Sequence, residues 1–388
     1  MTIQSRTTIP KEMTVERISD LETFLSLEAE WDALLKASGQ QNVYLPHHWI
    51  AGWIRFFGEK MHLWFLVVKS RGRWMGVAPL VQSVQHWRGL PVRILHFPVS
   101  FASANLRCDF ILSEPREEAV LAVARYLKER AGEWDRWELS GLPADSPVVP
   151  LLRRFLERPF FYTTPQPQHD YYYLPISGSF EEYLNNKSVR FNKTLRNREN
   201  RLRRVGMVTY RTLKSQEEMI RLEGGIRQFY RYLAETFGKS GDGQIDLLEI
   251  DGIAVAALFS LQIEGSLFLL YTCYDPSAAF VSPGLLLLRK VFENAWPQGF
   301  REIDFNGWTP NVLIWADRRR QFLKGNVYNG TLRSRLVRFW EWTASTSLRR
   351  ALKRAAVGPK GSASTSLFQD KDRSSRDHSQ EDLKGLEF

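Results

Sequence analysis

The sequence predicts an α/β (α+β) protein made of two similar units, each a mixed central sheet flanked by helices. Apolar runs of strand length are separated by glycine turns, and amphipathic stretches with helical spacing lie between them. The order of these elements in the first half recurs in the second. A mixture of this kind packs helices onto a sheet.

Leu21, Phe24, Leu25, Trp31, Leu34 and Leu35 recur at three- and four-residue intervals and mark the buried face of an opening helix. A short helix is expected over 48–57, entered from Pro46. Two strands follow at 62–69 and 74–80, joined by Ser70–Arg73, where Gly72 permits a tight turn. Strands at 92–97 and 110–112, a helix over 117–130 and a strand at 137–139 complete the first unit. Two Pro-rich stretches, around Pro143–Pro147 and Pro165–Pro167, mark a boundary. After a short aromatic strand at 171–174, Ser179 and Glu182 form a capping box. The helix it begins is expected to run to about Arg204, where Val205 and Gly206 end it. A strand at 208–213, a helix over 217–237 and strands at 245–250 and 253–262 come next. Asp251-Gly252 is a type I′ hairpin signal, and Glu264-Gly265 leads into a strand at 266–274. A helix over 285–296 and a strand at 302–306 close the second unit. The units are expected at residues 13–165 and 170–342, and residues 355–388, poor in apolar side chains, read as a disordered tail.

Composition narrows the function. No apolar run approaches the roughly 18 residues a membrane span requires. The N-terminus carries no secretory signal pattern. The two cysteines, Cys108 and Cys273, read as buried thiols of a reducing compartment, which implies a cytoplasmic protein. There is no Walker loop, no GxGxxG after a strand, no CxxC, no HExxH and no GxSxG elbow, and the seven histidines show no metal spacing. No metal is therefore expected. The net charge of +10 is concentrated between Arg190 and Arg204, with smaller groups at 318–320 and 333–354. Such a surface suits phosphate-bearing partners, whether nucleic acid, an anionic membrane face or a phosphorylated cofactor.

Three segments can carry chemistry. On the basic helix, Arg190, Lys193 and Arg196 form charged stripes beside an apolar seam of Phe191, Leu195 and Leu202. They are candidates for an anionic substrate or phosphate, against the alternative of a solvated face. The second segment is Ser282-Pro283-Gly284, read as a helix start with Ser282 as N-cap and Pro283 in the first turn. Its free amides and positive dipole end suit a phosphate. Third, Glu302, Asp304 and Asn306 share one face of a strand, and a carboxylate in a central strand is costly unless bonded or used. Asp304 is thus the general-base candidate.

In the second half, Ser179-Phe-Glu-Glu-Tyr-Leu, Arg190-Phe-Asn-Lys-Thr-Leu-Arg-Asn-Arg, Ile253-Ala-Val-Ala-Ala-Leu-Phe, Tyr274-Asp-Pro, Ser282-Pro-Gly-Leu-Leu-Leu-Leu and Arg301-Glu-Ile-Asp-Phe-Asn-Gly occur in that order. Together with Trp31-Asp-Ala-Leu-Leu, Asn42-Val-Tyr-Leu-Pro-His-His-Trp, Gly76-Val-Ala-Pro-Leu and Trp137-Glu-Leu in the first half, they resemble the CelD-like (cellulose-biosynthesis-type) acetyltransferases of the GNAT superfamily, relatives of the FemAB-like transferases. The resemblance spans about residues 15–325. It implies two tandem GNAT-like domains and transfer of an acetyl or other acyl group from coenzyme A to an amine or hydroxyl acceptor, in envelope or polysaccharide metabolism. It implies donor binding near Ala256 and Leu258, with Ser282, Pro283 and Gly284 at the pyrophosphate. Asp304 would be the base, and Tyr271 and Tyr274 would serve the acceptor or the leaving thiol. Arg190, Lys193, Arg196, Asp275 and Asn306 would contact the substrate. A FemAB-type alternative would take the acyl group from aminoacyl-tRNA, and a non-catalytic scaffold of the same fold is the third reading.

Overall fold

The computed structural model describes residues 13–87, 89–98, 107–156, 160–163, 165–213, 225–307 and 310–343. The expected tail at 355–388 lies outside these residues. The strands are β1 (Met13–Ile18), β2 (His62–Ser70), β3 (Arg73–Trp87), β4 (Leu90–His96), β5 (Ile111–Leu112), β6 (Arg136–Pro143), β7 (Phe161–Tyr162), β8 (Gln166–Pro175), β9 (Val208–Leu213), β10 (Gly243–Ile250), β11 (Ile253–Ile263), β12 (Ser266–Tyr274), β13 (Glu302–Asp304) and β14 (Arg318–Tyr328). The α-helices are α1 (Leu21–Leu25), α2 (Glu28–Ser38), α3 (His47–Phe57), α4 (Arg116–Glu129), α5 (Val148–Phe155), α6 (Phe180–Asn185), α7 (Val189–Leu202), α8 (Gly225–Ser240), α9 (Pro283–Ala295) and α10 (Pro310–Trp315), with a further helix over residues 332–343.

All strands join one sheet, ordered β1-β2-β3-β4-β6-β14-β8-β13-β12-β11-β10-β9, with β5 on β3 and β7 on β14. The repeat read from the sequence is visible in this order. In the first half an antiparallel run β1 to β4 is followed by a parallel β4–β6 pair, and α4 lies between those two strands in the chain. In the second half β9 to β12 run antiparallel, then β12 and β13 pair in parallel, with α9 between them in the chain. The strand that ends each half is exchanged. β8 pairs with β13 of the second half, β14 pairs with β6 of the first, and β8 and β14 pair with each other. This exchange fuses the halves into one continuous sheet.

Asp251 and Gly252 have φ of 50° and 81°, the two positive values a type I′ turn requires, and Arg71-Gly72 and Glu264-Gly265 turn the same way. One expected helix is two. α6 keeps the Ser179–Glu182 capping box, then Ser188 caps α7 anew by accepting from the Phe191 amide at 3.2 Å. The sequence reading omitted β1, α5, β14 and the helix over 332–343. In β14, Arg318–Arg320 look like a charge cluster, yet the strand is held by partners distant in sequence.

One large core serves the first half and one face of the second, while a separate core lies under α6, α7 and α9. The halves also meet through helices. Gly52 on α3 lies so close to Tyr232 of α8 that an added Cβ would sit 2.4 Å from its ring. Trp49 packs edge-on against Phe229 at 5.5 Å.

Candidate active site

The site begins where two paired strands part. β12 and β13 share only three register pairs, Ser266 with Glu302, Leu267 with Ile303 and Phe268 with Asp304. β13 then ends, while β12 runs on to Tyr274, paired with β11. Beyond Phe268 the β12–β13 pairing therefore stops and the two strands part. The first half has the same geometry, with β4 and β6 paired only from Ile94–Arg136 to His96–Glu138. There, however, the chain fills its own gap. The Cys108 amide donates to the Gly141 carbonyl at 3.1 Å, and Phe110 stacks on Trp137 with centroids 6.1 Å apart.

Asp304 sits at the end of β13, where the strands part, 1% exposed. Its Oδ2 accepts from Arg107 Nη1 at 3.0 Å, and Arg320 stands at 3.5 Å; its Oδ1 accepts from the Asn306 amide at 2.8 Å. Arg107 comes from the first half and is also buried. Four rings enclose its guanidinium, those of Tyr44, Tyr171, Phe268 and Phe322, at 5.1 to 5.7 Å. Burial opposes the Arg107 charge most strongly, but Asp304 together with Tyr44 and Tyr171 more than offsets it and keeps the guanidinium protonated. Burial likewise keeps the Tyr44 and Tyr171 phenols neutral. Asn306 takes a left-handed φ of 55°, which asparagine tolerates, and its Oδ1 accepts from Tyr44 and Arg107.

Next to this cluster a cavity of about 330 Å³ lies at the seam of the two halves, lined by Gln41, Asn42, Arg107, Asp109, Ser146 and Arg320 among others. Asp109 is 4% exposed. Its Oδ1 accepts from Ser146 Oγ at 3.0 Å and from the Phe110 amide at 2.8 Å. Its Oδ2 has no partner among the described residues. Burial raises the carboxyl from 3.8 to about 7, against the pull of Ser146 and the Phe110 amide and with help from Asp145. The sequence reading missed Asp109, Arg107 and Tyr44. Asp109 lies in a short Cys-Asp-Phe segment without periodicity, and only the exchange of strands brings it to the second half.

The other expected site residues fall in three groups. Tyr271 packs at the border of the larger core with Phe268, whereas Tyr274 belongs to the core under α9, so the two point to opposite sides of β12. Ala256 and Leu258 are buried in that second core, opposite Tyr274 and Thr272. Ser282 is not the side-chain cap that its position implied. Its φ of 57° and ψ of 60° turn the chain left-handed, and its hydroxyl bonds no amide of α9. Pro283 and Gly284 are buried in the first turn. Asp275 caps the preceding 3₁₀ turn, Pro276–Val281, by accepting from the Ser277 amide at 2.8 Å, a bond that lowers its pKa.

Arg190, Lys193 and Arg196 are exposed on α7, with Phe191, Leu195 and Leu202 buried as the seam. Two other arginines of this helix reach the start of α9. Arg198 and Arg201 both donate to the Phe280 carbonyl, at 2.7 and 2.9 Å. A second cavity of about 520 Å³, lined by Arg203, Tyr210, Arg289 and Lys290 with Glu199 and Glu293, lies between α7, β9 and α9. Both cysteines are free thiols. Among the described residues no helix is long and apolar enough to cross a membrane.

Residues 220–311 match the family model for the acetyltransferase (GNAT) domain. The fold is similar to the crystal structure of FemX, with 13% identity, a TM-score of 0.58, and coverage of 84% of this chain and 99% of that one. A tandem GNAT protein from the clavulanic acid biosynthesis pathway aligns with 13% identity and a TM-score of 0.41, over 81% of this chain and 98% of its own. The C-terminal domain of a putative lysylphosphatidylglycerol synthetase from Agrobacterium fabrum gives 10% identity and a TM-score of 0.46, over 81% and 95%. No curated protein matches by sequence. The chain thus has a GNAT fold and is acyltransferase-like, with the matched segment covering α8 to the start of α10.

Proposed function

We propose that the protein transfers an acyl group, typically acetyl, from coenzyme A to an amine or hydroxyl of a polar acceptor, in cytoplasmic steps of envelope or polysaccharide metabolism. The observation that carries this reading is the short, three-pair β12–β13 ladder, after which the strands part beside the start of α9. The place where the two strands part suits a pantetheine arm lying along β12. Gly284 and Leu285 lie in the first turn of α9, and Arg198 and Arg201 are held at the Phe280 carbonyl in the turn just before it, a fitting setting for a pyrophosphate. The filled gap between β4 and β6 favours the second half as the donor site.

The acceptor takes the seam cavity. Both oxygens of Asp304 are committed, so its role is to fix Arg107, while Asp109, whose Oδ2 has no partner among the described residues, takes the acceptor's proton. The acceptor nitrogen or oxygen attacks the thioester carbonyl, the C–S bond breaks, and the coenzyme A thiolate is protonated. In this reading Tyr271, which packs on the Phe268 side of β12, supplies that proton, and Tyr271→Phe is expected to lower kcat about tenfold with KM for the donor unchanged. Calorimetry with acetyl-CoA tests the donor reading, since absence of binding at millimolar concentration defeats it. Reversing Arg198 and Arg201 to glutamate should weaken acetyl-CoA binding by at least about tenfold.

The exposed basic face of α7 favours a second reading, in which aminoacyl-tRNA is the donor. It requires tRNA binding that weakens steeply between 50 and 200 mM salt, by about a thousandfold or more for six phosphate contacts.

A further inference from the structure

The helix over residues 332–343 has two unlike faces. Its inner face is fully used. Val337 is buried with Val92, Ile94 and Tyr328, Ser334 Oγ donates to the Asp135 carbonyl at 2.6 Å, Arg333 pairs with Asp135, and Glu341 bonds Arg136 and Tyr328. Its outer face is apolar. Leu332, Leu336, Phe339 and Trp342 are 78%, 46%, 56% and 60% exposed, spaced four, three and three residues apart along one stripe. The Phe339 and Trp342 rings lie 6.2 Å apart and form a continuous aromatic ledge. Four large apolar side chains in register on one helix are more than scattered surface residues.

The charge around the stripe identifies what covers it. Arg335 is exposed on the same face, and Arg338 flanks it, its guanidinium over the Phe161 ring. The sequence that follows adds Arg349, Arg350, Lys353 and Arg354, interleaved with Leu348 and Leu352. Leucine, phenylalanine and tryptophan bordered by arginine are the composition of a helix that lies in a bilayer interface. A second copy fits less well, because a two-fold pairing of this stripe sets one Arg335 and Arg338 pair near the other without an acidic partner on the outer face.

We propose that this helix docks the protein on the surface of an anionic phospholipid bilayer, with Leu332, Leu336, Phe339 and Trp342 in the interface and the arginines at the headgroups. The contact is peripheral and reversible, and it is independent of the acyl donor.

Flotation of the full chain, without acyl-CoA, on vesicles of pure phosphatidylcholine and on vesicles with 30% phosphatidylglycerol tests this. The protein should float with the anionic vesicles at least about tenfold more than with the neutral ones, and less at 0.5 M salt. Leu336→Glu/Phe339→Glu should lose at least about tenfold in partitioning while the far-ultraviolet spectrum and Tm stay unchanged. Arg335→Glu should reduce binding to the anionic vesicles only. Equal binding of wild type and double variant, or no flotation at low salt, overturns the proposal. A wild-type dimer that becomes monomeric in the double variant, with no vesicle binding in either, also overturns it and assigns the stripe to self-association.

Discussion

Replacing Arg107 with methionine is expected to destabilise the protein by about 3–5 kcal/mol, the cost of leaving a buried carboxylate without its counter-charge. Arg107 and Asp304 have side chains only 5% and 2% exposed, so little solvent screens the loss. The nearby Arg320 stands at 3.5 Å and already bonds Glu302 at 2.7 Å, which limits its ability to substitute. Arg107→Lys should recover little, because four rings and two acceptors are arranged around a planar fork. The double variant Arg107→Met/Asp304→Leu removes both charges and should regain most of the stability. Urea unfolding free energies of wild type, Arg107→Met, Asp304→Leu and the double variant give the coupling energy. If Arg107→Met unfolds at the wild-type midpoint, the pair is not the structural link between the halves that its geometry implies.

This link also shows where sequence reading succeeds and stops. The hairpins were legible because Asp251-Gly252 and Arg71-Gly72 encode their turn locally, and the α7 seam was legible because Phe191, Leu195 and Leu202 carry the helical period. Asp304 stood out as a carboxylate in a central strand, and it is indeed buried and bonded. Its partner could not be found that way. Arg107 lies 197 residues away, and no local pattern marks it. The same holds for β14: Arg318–Arg320 read as a charge cluster, and only long-range pairing reveals a strand that lies along β8 from Arg318 and against β6 from Phe322. Ser282 shows the opposite error, in which a residue of the right type for a cap adopts a left-handed backbone that aims its hydroxyl elsewhere. Tyr271 and Tyr274 were grouped by residue type, although three residues apart on the regularly paired end of β12 the two-residue alternation alone puts them on opposite faces.

Asp109→Asn is expected to lower acyl transfer by about 10²- to 10⁴-fold while leaving acetyl-CoA affinity unchanged, as loss of a general base without loss of donor contacts would do. The carboxyl faces Ser146 and the Phe110 amide through Oδ1, with Asp145, Arg107 and Arg320 around the same cavity and the buried Cys108 thiol beside it in the chain. Burial places its titration at about 7, so kcat/KM of the wild type should rise through neutral pH as Oδ2 becomes available, and Asp109→Asn should lose that limb. The same shift has a consequence for stability with a fixed sign. Folded Asp109 keeps its proton to about 7, whereas the unfolded chain releases it near 3.8. Between those values the native state binds more protons, so this group's contribution falls as pH rises through the window and is constant above it. Asparagine, which cannot ionise, should flatten that part of the pH–stability curve and make the variant more stable than wild type at pH 8. A structural role alone predicts the opposite at pH 8, a loss of stability with the pH–rate limb intact. The paired measurements therefore separate a carboxylate kept for proton transfer, at a cost in stability, from one kept to hold the first-half loop in place.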